Sequence, residues 1–347
     1  MKRAPLDLLF VVDNSGSMLD EQNALARSIF DPRCPISDVG NVPLDLQEPS
    51  REVFDELSDV CGIAQLIAAM GGDFRIAVIT TDVGACDERL PAGQDPDGLH
   101  EPTLMRGCAQ GGIITRNDDV EAALQTAMLG VGTYGSSRER GLDAMHAFLA
   151  PDGKTAPGCE QDGDDFLRPD GRLVVVFVAD EDDCSHQDGA FGFPNELAGE
   201  PEGCGDFPEL FTNPDARPAL CVEQADRLAP VSFYRDTLRA LVDEGRTTDV
   251  IVSVVGGLRE TGNGLVAGDC IAREDGSFDG LCSPVLGAGN SCTEDEQCCS
   301  ADGAHRYVEF ARTVNADSLM GSICAPDFRA PLMPLFLVGE LGGEEVF

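Results

Sequence analysis

Four short runs of almost uninterrupted apolar residues constrain the fold of this chain more than any other feature. They are LDLLFVV at residues 6–12, FRIAVIT at 74–80, LVVVFVA at 173–179 and VIVSVV at 250–255. A strand that faces solvent on one side alternates apolar and polar residues, whereas a parallel strand covered by helices on both faces is apolar throughout. The runs therefore predict buried, parallel strands.

Segments with the 3.6-residue periodicity of amphipathic helices separate and follow these runs. We predict a last short strand over residues 320–324, and helices over 19–30, 53–70, 118–128, 137–149, 231–242, 306–314 and 328–338. This alternation favours an α/β fold with a doubly wound, mostly parallel central sheet. Ligands of such sheets bind beyond the carboxyl ends of the strands, so the residues that follow each run are the first candidates for a site.

Stretches rich in Gly, Pro and Asp interrupt the alternation. We interpret them as loop insertions into a single domain that covers residues 5–345. The insertions lie at about 31–52, 83–112, 150–171, 184–228 and 257–303.

The chain is strongly acidic, with 62 acidic and 24 basic side chains and a formal net charge of −38. Such a surface repels nucleic-acid phosphates and anionic lipid headgroups, so we expect no nucleic-acid partner. Carboxylates favour solubility, and they are also the hard oxygen ligands that divalent cations prefer. No apolar run approaches the roughly 20 residues of a membrane-spanning helix, and no transmembrane segment is predicted.

The 14 cysteines form no CxxC pair of the kind that zinc ribbons and fingers use. We interpret them as disulfides formed in an oxidising compartment, and free thiols in a cytosolic protein are the rival interpretation. Cysteines that bracket a loop are the candidate partners, although spacing alone does not fix connectivity. The candidate pairs are Cys34 with Cys61, Cys86 with Cys108, Cys184 with Cys221, and Cys270 with Cys282.

We do not expect the amino terminus to supply the export signal that disulfides imply. Met1-Lys2-Arg3 has the charge of a signal-peptide start, but the apolar run after it is short and contains Asp7. Because residues 6–12 are predicted to be a core strand, we expect the export signal of an extracytoplasmic protein to be absent from this chain. The expected location is the periplasm, the outer membrane surface or the exterior.

A cluster of oxygen-bearing residues follows the first apolar run, and an acidic run follows the third. The first is Asp13-Asn14-Ser15-Gly16-Ser17, and the second is Asp180-Glu181-Asp182-Asp183. Neighbouring parallel strands bring such ends side by side, and carboxylate and hydroxyl oxygens are the ligands of Mg²⁺. We expect only Asp180 of the acidic run to take part, and we expect the rest to be a solvated loop.

The pattern Asp13-x-Ser15-x-Ser17 after the first strand, with Asp180 after a later one, resembles the metal-ion-dependent adhesion site of von Willebrand factor A (vWA) domains. The resemblance implies a further hydroxyl ligand ahead of a helix that carries Gly-Leu, here Gly141-Leu142. Counting back five residues gives Ser136 in place of the usual Thr, and Thr133 is the alternative. The motifs DNSGSM, TTD, DEDDCS and SIC are similar to those of bacterial cell-envelope vWA proteins, many of them lipoproteins.

The resemblance implies a metal-dependent protein-binding or adhesion module that holds Mg²⁺, with Mn²⁺ or Ca²⁺ as alternatives. A partner protein would present an Asp or Glu to the ion. The second hypothesis is an envelope scaffold that its metal and disulfides stabilise, and the third is a metal-dependent hydrolase. The sequence contains no pairing of a nucleophile with a base and no zinc ligand set, so we do not expect an enzyme.

Overall fold

The computed structural model shows a mixed α/β fold built on a six-stranded, mostly parallel sheet. The described residues are 5–15, 18–47, 50–81, 108–133, 139–150, 162–185, 228–261, 264–267, 271–272, 278–279, 303–315, 319–323, 325 and 328–332. The strands are β1 (Leu6–Val12), β2 (Phe74–Thr80), β3 (Ile114–Thr115), β4 (Arg172–Val178), β5 (Asp249–Gly256), β6 (Leu258–Thr261), β7 (Gly264–Ala267), β8 (Ile271–Ala272), β9 (Phe278–Asp279) and β10 (Leu319–Ser322).

The sheet has the strand order β10-β5-β4-β1-β2-β3, and only the short β3 is antiparallel to its neighbour. The strands β6 and β7 form one antiparallel pair outside it, and β8 and β9 form another. The predicted central strands and their parallel pairing are therefore confirmed.

Helices cover both faces of the sheet. They are α1 (Leu19–Ile29), α2 (Arg51–Val60), α3 (Ile63–Ala69), α4 (Val120–Val131), α5 (Gly141–Leu149), α6 (Asp162–Phe166), α7 (Val231–Asp243), α8 (His305–Val314) and α9 (Arg329–Leu332), with a 3-10 turn at Leu44–Leu46. No helix among the described residues has both the length and the apolar character needed to cross a membrane.

The side chains of β1 explain why the strand is apolar throughout. Leu8, Phe10 and Val12 point into the core formed with α1 to α4 and α9. Leu9 and Val11 point the other way, into the core formed with α5 to α8. Successive strand residues face opposite sides of a sheet, so a strand buried on both faces needs apolar residues at every position.

The predicted helix over 53–70 is wrong in one respect, because the structure divides it into α2 and α3. Cys61 and Gly62, which lie between the two helices, have extended backbone. Any side chain on Gly62 would clash with α1, because a Cβ there would lie 2.3 Å from the carbonyl oxygen of Ile29. The disulfide between Cys34 and Cys61, which was one of the candidate pairs, lies at the same break. The helix is therefore interrupted where the chain packs closely on α1 and is crosslinked, although the apolar periodicity of the sequence continues across the break.

Two predicted loops contain regular structure. The stretch 150–171 holds α6, whose Phe166 is buried against Phe148 with ring centroids 5.5 Å apart. The stretch 257–303 holds the strands β6 to β9. The helix predicted over 328–338 is described only as α9, and residues 333–338 lie outside the described residues.

A buried ion pair closes the amino-terminal end of the sheet. The carboxylate of Asp7 in β1 is fully buried and accepts bonds from Nε and the backbone N–H of Arg168, at 2.7 and 3.0 Å. The guanidinium also donates to the carbonyl of Leu6 and to Asp73, both at 2.9 Å. Burial nevertheless raises the pKa of Asp7, and Arg168 offsets only part of that effect.

One side-chain amide completes the hydrogen bonding of β5. The strand β10 pairs with β5 only from Ser253 onward. Upstream of that point, Asn315 Oδ1 accepts from the N–H of Val252 at 2.8 Å, and its Nδ2 donates to the carbonyl of Val250 at 3.2 Å. The amide therefore satisfies two backbone groups as a neighbouring strand would.

Candidate metal centre

The register of the parallel strands brings the predicted ligands to one edge of the sheet. Val12, the last residue of β1, pairs with Val178 at the end of β4 and with Thr80 at the end of β2. The ladder continues one step further, because the N–H of Asp13 donates to the carbonyl of Val178 at 2.9 Å. The segments that follow β1 and β4 therefore begin side by side, at the same level of the sheet.

Asp13, Ser15 and Asp180 come together at this edge, and all three are buried. Asp13 Oδ1 accepts from the N–H of Ser15 at 2.7 Å, which fixes the turn. The Ser15 hydroxyl donates to Asp180 Oδ1 at 3.4 Å. Ser17 and Ser136 lie outside the described residues, and Thr133 is described as half-buried.

The second carboxylate oxygen of Asp13, Oδ2, is buried and has no hydrogen-bond partner. Burial raises the pKa of Asp13 well above its ordinary value, and the negative charge of Asp180 raises it further. A buried carboxylate next to another carboxylate is costly unless a cation or a proton neutralises it. The buried oxygen, the second carboxylate and the serine hydroxyl fit a hard divalent cation.

Gln22 is a residue of the site that the sequence interpretation did not identify. Its Nε2 donates to the carbonyl of Asp13 at 3.0 Å and to the carbonyl of Gly132 at 2.7 Å. The bond ties the turn after β1 to the segment that carries Thr133 and leads towards Ser136. The available signal was a polar residue on the buried face of α1, where Gln22 is 4% exposed.

The prediction that the acidic run becomes a solvated loop after Asp180 is wrong for Asp182 and Asp183. Both side chains are buried. Asp183 is held by the N–H of Leu142 at 3.0 Å, by Ser185, and by Arg306 Nε at 3.1 Å. Asp182 Oδ1 accepts from the N–H of Arg306 at 2.9 Å, whereas its buried Oδ2 has no partner. Leu142 belongs to α5 and Arg306 to α8, so distant parts of the chain bury this loop.

A second connection joins the segments that follow β2 and β4. Glu139, 1% exposed, hydrogen-bonds through its carboxylate to the hydroxyl of Thr81. Its carbonyl accepts from the N–H of Cys184 at 2.6 Å, and the carbonyl of Thr81 accepts from the N–H of Arg140 at 3.2 Å. Glu139 and Arg140, which come directly before α5, are therefore hydrogen-bonded to the segments that follow both strands. The predicted ligand Ser136 precedes them by three residues in the sequence.

Cys108 and Cys184 are each disulfide-bonded in the structure. Their predicted partners, Cys86 and Cys221, lie outside the described residues, as does the pair Cys270 and Cys282. Since Cys184 is four residues beyond Asp180, its crosslink restrains the chain close to the candidate centre.

Within the part of the chain that the structure describes, no three His, Cys, Asp or Glu side chains are grouped to hold a metal ion. The candidate centre contains two carboxylates, Asp13 and Asp180, and its other predicted ligands are hydroxyls. No protein-family model matches the chain, and a comparison with curated proteins finds no match.

We expect the metal-free protein to lose stability as the pH rises from about 4 to about 7. Burial raises the pKa of Asp182 from 3.8 to about 7, so the folded protein holds a proton that the unfolded chain has released. This contribution is fully present below the ordinary pKa and is lost as the pH passes through the raised one. Its size is on the order of a few kcal/mol.

Urea denaturation in the presence of a chelator, over this pH range, measures the effect. Asp182→Asn should reduce the pH dependence, because the amide keeps an acceptor for Arg306 but does not titrate. The dependence that remains belongs to other buried carboxylates such as Asp7 and Asp13. Asp243→Asn is the matched control, since its side chain is 72% exposed. An equal pH dependence in Asp182→Asn and the unaltered protein would contradict the expectation.

Proposed function

We propose that this chain is a vWA-type domain that binds one divalent cation through Asp13, Ser15 and Asp180. Ser17 and either Ser136 or Thr133 would supply the remaining hydroxyl ligands. The single observation that carries the proposal is Asp13 Oδ2, a fully buried carboxylate oxygen that has no hydrogen-bond partner and lies beside a second acidic residue. The sequence pattern after β1 and β4 supports the same assignment.

The cation would serve to capture a carboxylate from a partner protein. The carboxylates of Asp13 and Asp180 formally balance the charge of Mg²⁺. Carboxyl-rich cation sites contain more than two carboxylates, so an ion bound here keeps affinity for an additional anionic oxygen. An Asp or Glu of a protein ligand provides one. Mn²⁺ and Ca²⁺ are alternatives to Mg²⁺ because both accept oxygen ligands.

We place this activity in the bacterial cell envelope, as an adhesion or protein-binding module. The disulfide between Cys34 and Cys61 and the disulfide-bonded Cys108 and Cys184 support an oxidising compartment. The acidic surface is expected to slow the approach of an acidic partner, and the bound cation would offset this repulsion locally.

A scaffold without a ligand role is the second candidate. The observation in its favour is the buried network around Asp183 and Arg306, which joins the segment after β4 to α5 and α8. A cation in such a protein would mainly hold these loops together, and its removal would cost stability rather than binding.

Mn²⁺ is the probe that tests the proposal, because it is paramagnetic and water-proton relaxation reports the waters it carries. We expect a short Glu-containing peptide to reduce the relaxation enhancement of the Mn²⁺-loaded protein as a carboxylate replaces water. The same peptide with Gln in place of Glu is the matched control. Asp180→Asn should abolish the effect of the Glu peptide and leave the protein folded.

The outcomes separate the candidates. A protein that binds no Mn²⁺ would rule out the cation site. Bound Mn²⁺ with equal responses to the Glu and Gln peptides, together with a large loss of stability in Asp180→Asn, would favour the scaffold.

A further inference from the structure

Tyr307 lies in the first turn of α8 and extends to the start of α5. Its ring packs on Phe177 of β4, with centroids 4.8 Å apart. A Cβ on Gly141 would lie 2.3 Å from the Tyr307 hydroxyl oxygen and 3.0 Å from the ring. The glycine at 141 therefore allows the phenol to approach the backbone at the start of α5, two residues after Glu139.

The hydroxyl of Tyr307 is buried and has no hydrogen-bond partner. A buried hydroxyl without a partner costs free energy, whereas a phenylalanine ring in the same place would not. The other large buried tyrosine, Tyr234, does have a partner, because its hydroxyl donates to Asp143 Oδ1 at 2.5 Å. The hydroxyl of Tyr307 thus requires a separate explanation.

One residue of the candidate centre, Asp13, is among the acidic groups whose charges act on this hydroxyl. Burial raises the pKa of Tyr307 well above its ordinary value, and the charges of Asp183, Glu139, Asp13 and Asp182 raise it further. The phenol is therefore protonated and can donate a hydrogen bond.

A second buried, unpartnered oxygen belongs to Asp182, which hydrogen-bonds to the residue next to Tyr307. Asp182 Oδ1 is bound by the N–H of Arg306, the residue next to Tyr307, and the buried Oδ2 has no partner. Two polar oxygens, both buried and both unpartnered, are thus supplied by α8 and by the segment that follows β4.

We propose that Tyr307 is a positioning residue of the cation site, and that its hydroxyl, together with Asp182 Oδ2, hydrogen-bonds to the hydration shell of the bound ion. This inference rests on the proposed function. Mg²⁺ retains several waters when it binds proteins, and those waters need partners in a buried site. Outer-shell partners of this kind typically change metal affinity 10- to 100-fold.

The test compares Tyr307→Phe with Tyr234→Phe, which remove the same atom from two buried tyrosines. We expect Tyr307→Phe to leave the melting temperature of the metal-free protein unchanged or raised, because it removes an unpartnered hydroxyl. It should weaken Mg²⁺ binding about 10-fold or more, and so reduce the rise in melting temperature that Mg²⁺ produces.

Tyr234→Phe should behave in the opposite way. It breaks the bond to Asp143, so the melting temperature should fall equally with and without Mg²⁺, and the Mg²⁺ affinity should change by less than about twofold. Isothermal titration with Mg²⁺ and thermal melts in both states provide the readouts.

Two results would overturn the inference. If the unaltered protein binds Mg²⁺ and Tyr307→Phe binds it equally well, the hydroxyl has no part in the site and the proposed function still stands. If the unaltered protein binds neither Mg²⁺ nor Mn²⁺, the cation site fails, and the role of Tyr307 fails with it.

Discussion

Asp13→Asn is expected to weaken Mg²⁺ binding by about 100-fold or more, beyond the 10- to 100-fold effect of outer-shell partners. The carboxylate of Asp13 is fully buried, and its Oδ2 is the oxygen without a hydrogen bond. An amide keeps Oδ1 as the acceptor for the N–H of Ser15 but removes the negative charge that a cation needs. Isothermal titration with Mg²⁺ measures the loss.

The same substitution should stabilise the metal-free protein at neutral pH by about 1–3 kcal/mol, because it removes a carboxylate that burial forces either to stay charged without a partner or to bind a proton. Asp180 no longer faces a second carboxylate in that variant. Urea denaturation with a chelator should therefore show a gain for Asp13→Asn and no change for the exposed control Asp243→Asn. Unchanged Mg²⁺ affinity, or a loss of metal-free stability, would identify Asp13 as an ordinary structural residue.

Arg168→Met is expected to lower the free energy of unfolding by about 3–5 kcal/mol, because it leaves a buried carboxylate without its cation. Asp7 is fully buried, and the guanidinium and backbone of Arg168 bind both of its oxygens. Lowering the pH should reduce the loss, since burial already raises the pKa of Asp7 and the protonated form needs no partner. Urea denaturation at several pH values tests both statements.

Two further variants serve as controls for this prediction. Arg235→Met breaks a pair whose side chains are 39% and 62% exposed, and should change stability by no more than about 0.5 kcal/mol. Adding Asp7→Asn to Arg168→Met should restore most of the lost stability, because no buried charge then remains. A loss in Arg168→Met no larger than that in Arg235→Met would show that the pair contributes little.

The central strands were predictable because burial on both faces leaves a direct record in the sequence. Every residue from Leu8 to Val12 is buried, so the apolar run and its length follow from the fold. The helix α6 was not predictable in this way, since its sequence DGDDF is polar apart from Phe166. The break between α2 and α3 depends on contact with Ile29, which periodicity does not report.

The placement of Asp13, Ser15 and Asp180 at one edge followed from a general property of parallel sheets. The burial of Asp182 and Asp183 did not, because their donors, Arg306 and Leu142, are distant in sequence. A run of four acidic residues is usually exposed, and only tertiary structure identifies an exception. Tyr307 was predictable as a core residue of α8, but not as a neighbour of the acidic cluster.

The amide of Asn315 also affects how the protein can associate with other chains. A strand edge with free N–H and C=O groups invites pairing with a strand of another molecule. The carbonyl of Val250 and the N–H of Val252 are already hydrogen-bonded to the side chain of Asn315. A strand of another molecule cannot pair with these two groups without displacing that side chain. Asn315 thus protects the part of the β5 edge that β10 leaves uncovered, and an aliphatic residue in its place would open a route to edge-to-edge aggregation.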